Sequence, residues 1–142
     1  MRSVRSLVVV AAAVLAFSAL APSVSAASPK AFHLDKTCAS NVLCTISSSN
    51  FKPLTGGTDV TYTWDATRPW LAYPTIVVRN GSTTGVCDWN QPGTDGVLAI
   101  CTFANGSGRL TQFHLRVNVT VTGDPTSPTS VWHWDGQYWF GG

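Results

Sequence analysis

Leu115, Val117, Val119 and Val121 alternate with His114, Arg116, Asn118, Thr120 and Thr122 in one unbroken run. A period of two puts one row of side chains on each face of an extended chain, so this segment is a strand with an apolar face and a polar one. No stretch beyond residue 26 repeats apolar residues at the 3.6 spacing of an amphipathic helix, while Thr, Val, Trp, Tyr and Phe are frequent. The pattern predicts strands over residues 31–34, 42–48, 59–64, 75–80, 84–89, 97–103, 110–122 and 131–140. Clusters of Gly, Pro, Asn, Asp and Ser at 52–57, 80–81, 90–96, 105–108 and 123–128 supply the turns between them. About eight short strands with regular turns close into a single small antiparallel β-barrel, with a two-sheet sandwich as the alternative; either limits exposed strand edges. The length of the 110–122 strand favours the barrel, whose tilted wall uses long strands.

Residues 1–26 read as a cleavable secretory signal: Arg2 and Arg5, an apolar run over 7–20, then the small residues Val24-Ser25-Ala26. That run is shorter than the roughly 20 residues needed to cross a bilayer, and none like it follows, so no membrane anchor is expected. The exported part, residues 27–142, is then one β domain. Its charge follows by subtraction. Of nine Lys and Arg, Arg2 and Arg5 belong to the signal, which leaves seven against seven acidic residues, all of them Asp. A neutral surface offers no attraction for a phosphate backbone, so nucleic acid is not an expected partner.

All four cysteines lie after residue 26, in a chain bound for an oxidising compartment. Three pairings exist. Cys38 with Cys44 and Cys87 with Cys101 are favoured, because each pair is close in sequence and the second brackets the turn at 90–96. Neither C-x-x-C redox spacing nor paired zinc-ligand spacing is present, so neither a metal nor a cofactor is expected.

Gly85-Val-Cys-Asp-Trp89, Cys101-Thr-Phe-Ala-Asn-Gly-Ser-Gly-Arg-Leu-Thr-Gln-Phe-His114 and Trp134-Asp-Gly-Gln-Tyr-Trp-Phe140 together cover residues 85–140. This stretch resembles small secreted bacterial barrels similar to dirigent proteins and allene oxide cyclases. In that group a turn of the form G-x-G-[RK]-[FL] joins two barrel strands; Gly106, Gly108, Arg109 and Leu110 match it. The resemblance implies a barrel and, as an activity, guided cyclisation of a small molecule. Gln112 stands where the group often has Gly, and none of its catalytic residues can be placed on this chain.

The candidate chemistry is sparse. His114 and Arg116 share one face of their strand, and His133 and Asp135 share a face of theirs. Turned inward, these four would line a cavity with an acid/base and oxyanion-stabilising set; turned outward, they are a solvated surface. Trp132 and Trp134 likewise lie on one face, which lines an apolar pocket if inward and forms a flat platform if outward. Trp70 and Tyr73 lie in a Pro-flanked segment, 66–74, read as an exposed loop at the barrel rim.

The expected function is a secreted barrel binding a small hydrophobic or aromatic ligand in its interior, with cyclisation as a further step. The alternative is an extracellular module that holds polysaccharide or protein with exposed aromatics. The residues leave enzyme status open.

Overall fold

The computed structural model describes residues 27–91 and 95–142; the expected signal sequence at 1–26 and the middle of the 90–96 turn lie outside the described residues. Eight strands follow one another in chain order: β1 (Lys30–Ser40), β2 (Leu43–Ser49), β3 (Asp59–Trp64), β4 (Leu71–Val78), β5 (Gly81–Asp88), β6 (Ala99–Ala104), β7 (Phe113–Thr122) and β8 (Val131–Phe140). Each pairs antiparallel with its neighbour in sequence, and β8 pairs with β1 from Lys30↔Tyr138 to Thr37↔Val131, so the sheet closes into an up-and-down barrel. Closure leaves no free edge. Both expected disulfides are present, each between directly paired residues on adjacent strands: Cys38–Cys44 across β1 and β2, and Cys87–Cys101 across β5 and β6.

The Leu115, Val117 and Val119 row faces inward and is buried, while His114, Arg116 and Asn118 face out. β1 obeys the same rule, with Phe32, Leu34 and Lys36 inward and His33, Asp35 and Thr37 outward. This strand runs on to Ser40, well past the expected end at Leu34. A lysine in the apolar row masks the alternation, yet the backbone stays extended because β8 and β2 pair along both its edges.

β4 begins at Leu71, so Leu71 to Pro74 are strand and the exposed loop shrinks to Ala66–Trp70. Pro74 is tolerated because the β4–β5 pairing is interrupted between Ala72 and Thr75, where its missing N–H is not called upon. At the other extreme of tightness, a Cβ on Gly136 of β8 would lie 2.0 Å from the Arg116 carbonyl oxygen of β7. Only glycine lets those two walls approach so closely.

The two ends of the barrel differ. At the end formed by the β2–β3 and β6–β7 connections, Phe51 swings out of its loop and over the opening. It stacks on Phe113 (ring centroids 5.2 Å apart) and lies 4.6 Å from the Tyr138 ring, with Leu54 and Leu110 buried beside it. A short 3₁₀ turn, Gly108–Leu110, seats this plug. Eight strands enclose a bore that side chains can fill or that can hold one small ligand. Here the closed half is filled, down to Trp134 against Phe103 at 5.6 Å. The other half is open.

Candidate functional site

The open end is a cup of about 490 Å³. Trp64 at the end of β3, Trp89 one residue past β5 and Trp132 near the start of β8 form its wall, with Tyr62 and the Cys38–Cys44 disulfide lower down. Trp89 is the shared neighbour, 6.0 Å from Trp64 and 5.9 Å from Trp132 between ring centroids. The Trp64 indole donates to the Asn41 carbonyl at 2.8 Å, which fixes that ring against the β1–β2 turn. Residues 39–41 of that turn and 125–128 of the β7–β8 connection complete the rim.

At the floor is Lys36, 2% exposed. Its Nζ lies 5.0 Å from the Trp134 ring centroid, 5.4 Å from Tyr62 and 5.6 Å from Trp132. Its other polar contacts are the disulfide sulfurs, Cys44 Sγ at 3.8 Å and Cys38 Sγ at 4.0 Å. Among the described residues no carboxylate, imidazole or guanidinium lines the cup with it. Three ring faces attract a cation through their quadrupoles, but they replace water poorly, and burial pushes the ammonium down to about 7. Burial acts on the Tyr62 phenol in the opposite sense and keeps it protonated far above its usual range.

The four residues expected as a catalytic set stand on the outside of the barrel. His114 stacks on Trp139 across the β7–β8 seam, rings 5.2 Å apart and within 5° of parallel, and Arg116 is exposed two pairs further along. His133 and Asp135 join two residues outside that expected set, His33 and Asp35 of β1. Asp135 Oδ1 is 2.6 Å from His33 Nδ1, His33 Nε2 is 3.1 Å from Asp35 Oδ1, and the same Asp35 oxygen is 2.6 Å from His133 Nδ1. Thr122 ends the chain at 2.8 Å from His133 Nε2, and Ser48 donates to Asp35.

An imidazole that meets a carboxylate through each nitrogen must carry both protons, and the hydrogen bond with Asp135 raises the His33 pKa despite some desolvation. Desolvation pushes the Asp35 carboxyl up, but hydrogen bonds from His133 and Ser48 and the charge of His33 outweigh it and hold the group low. The ladder ties β1 to β8 and β7 on the solvent side. None of its members lines the cup, and among the described residues no group of three or more His, Cys, Asp or Glu is placed to hold a metal.

Trp132 and Trp134 face inward, as a pocket requires, but at different depths: Trp132 lines the cup, whereas Trp134 is wholly buried below it. Tyr73 is on the outer face, where its hydroxyl donates to Asp65 at 2.9 Å. Asp65 also accepts from Thr67 and Arg68, which pins the turn between β3 and β4 and drives its carboxyl far below the usual range. Trp70 tops that turn, 42% exposed and away from the cup lining.

The residue sequence reasoning missed is Lys36. The signal was there: Phe32, Leu34, Lys36 and Cys38 recur at spacing two, so a lysine occupies an apolar position of a strand.

A scan against protein-family models finds no match to this chain, and neither the curated proteins nor the solved structures give one.

Proposed function

We infer that this is an exported carrier or receptor for a small planar molecule, held in the open half of the barrel. The observation that supports the reading is the cup itself: three tryptophans and a tyrosine around a buried lysine that has no oxygen or nitrogen acceptor among the described residues, only the two disulfide sulfurs. Indole walls favour a flat aromatic ligand through area burial and ring–ring contact. The buried amine favours one with an oxygen that reaches Lys36, since sulfur is a weak acceptor and an oxygen acceptor from a ligand would satisfy the amine better. Two disulfides fit an extracellular setting, and no helix of the described residues is long and apolar enough to cross a membrane.

Cyclisation is not part of the proposal, because His114, Arg116, His133 and Asp135 have no access to the cup. The platform reading is weakened in the same way, since Trp132 and Trp134 face into the barrel.

Calorimetric titration with 2-naphthoate, 2-naphthol and soluble polysaccharides tests the inference. Saturable binding of the naphthyl compounds is expected, weakened about tenfold or more by Trp132→Ala, which removes one wall. His114→Ala and Asp135→Ala should bind as the parent does. Heat from polysaccharide alone would move the site to the outer wall and overturn the reading.

A further inference from the structure

Lys36 offers more than a donor. A lysine that is desolvated by apolar walls and spared a carboxylate partner is the kind of amine that attacks carbonyl carbon, because a fraction of it is neutral near pH 7. We propose that Lys36 captures an aromatic aldehyde or ketone at the floor of the cup as a Schiff base. This rests on the reading of the cup as a small-molecule site and names the chemical class of its ligand.

Three observations carry it. The amine is at the bottom of a cavity walled by tryptophan, so a flat ring entering from the mouth would lead with whatever substituent points at Nζ. Its polar contacts among the described residues are two disulfide sulfurs, which neither neutralise a charge nor hold the lone pair. The product of capture, a protonated imine, is a cation enclosed by the ring faces of Tyr62, Trp132 and Trp134, which attract positive charge wherever it sits on that nitrogen.

The chemistry closes without any further reactant. The amine lone pair forms a C–N bond to the carbonyl carbon as the C=O π pair moves onto oxygen. The two protons of the nitrogen leave with that oxygen as water, and the C=N bond forms. A proton from solvent, admitted through the open mouth, gives the iminium. The titratable group that faces Lys36 from the neighbouring wall is Tyr62, which burial keeps neutral, so the pH dependence of capture reports on Lys36.

The test uses the disulfide-intact protein, 2-naphthaldehyde and sodium cyanoborohydride, which reduces an imine to a stable secondary amine, followed by peptide mass mapping. One naphthylmethyl group on Lys36 is expected. It should form at least about tenfold faster at pH 7 than adducts on the exposed Lys30 and Lys52, which lie outside the cup that gathers the aldehyde. The rate should rise with pH through about 7 and level off, and 2-naphthoate should slow it by competition.

Lys36→Arg keeps the cation and cannot form an imine; it should still bind 2-naphthoate and should show only the background adducts. Adducts on Lys30 and Lys52 as fast as on Lys36 would overturn the proposal. So would 2-naphthoate binding in a protein whose Lys36 stays unmodified, an outcome that leaves the cup a site for anions. If neither naphthyl compound binds, the ligand-binding reading itself falls.

Discussion

Lys36 Nζ lies 5.0 Å from the centroid of the Trp134 ring, and both side chains are buried inside the barrel. They belong to adjacent strands, where Leu34 pairs with Trp134 and Lys36 with Trp132. The closed half of the bore therefore ends in a ring face, and the open half begins with an amine. Stability and ligand chemistry meet at this pair.

Stability should rise as the pH increases from about 7 to about 10. The folded lysine titrates at about 7, whereas in the unfolded chain it does so near 10.4. Between those values the unfolded state binds more protons, so the slope is positive. The gain is about 2–4 kcal/mol after allowance for the cation–π attraction that favours the charged form. Tyr62 sets the opposite limb. Its raised pKa means that the unfolded chain loses the phenolic proton first, near pH 10, and stability falls above that. Urea denaturation across this range should give a maximum near pH 10, and Lys36→Met should abolish the rising limb.

Phe51→Ala should cost about 3–5 kcal/mol, because the buried ring closes one end of the barrel against Phe113, Tyr138 and Phe32 and its loss leaves a cavity there. Affinity at the opposite end should stay within about twofold, since distant sites without shared partners are close to independent. Denaturant midpoints and a 2-naphthoate titration on the same sample would check both halves of this expectation.

The outer ladder should act on pH dependence and leave binding alone. His33 has a raised pKa, so the stability it adds is fully present below its unfolded value near 6.5 and is lost as the pH rises through the folded value. Asp35, held low, adds stability above its unfolded value and loses it as the pH falls through the folded one. Asp135→Asn removes the hydrogen bond that dominates the His33 shift. NMR titration should then show His33 moving back toward 6.5, with a stability change of about 0.2–1 kcal/mol, as for other exposed pairs.

Removal of the Cys87–Cys101 bridge by paired alanine substitution should cost about 3 kcal/mol, and removal of Cys38–Cys44, which closes a shorter loop, about 2 kcal/mol. The second pair also forms the cup wall beside Lys36, so its loss should alter ligand binding as well as thermal stability, whereas loss of the first should alter stability alone. Differential scanning calorimetry with and without 2-naphthoate would separate the two.

Much of the fold was legible. β3 and β8 begin and end where alternation and turn residues place them, and both disulfide pairings follow from spacing. β1 and β4 were read short. In β1 a lysine interrupts the apolar row, and in β4 Pro74 looks like a loop residue; pairing along neighbouring strands overrides both local signals. The candidate site was less legible. His114 with Arg116, and His133 with Asp135, do share faces as the spacing of two requires, but those faces are the outer ones. His33 and Asp35, which complete their network, are about a hundred residues away in the chain and adjacent only across the β1–β8 closure.

Alternation, turn residues and cysteine spacing are local properties, and they determined on their own that this chain forms about eight strands and two staples, while favouring a closed sheet over a sandwich. They act between residues a few positions apart, and such information survives without a fold. Which half of the bore is filled, and that Lys36 stands at the boundary among ring faces and disulfide sulfurs, depends on Phe51 reaching over one end while Trp64, Trp89 and Trp132 gather at the other. Those residues are brought together only when β8 closes on β1, so the tertiary structure alone decided them.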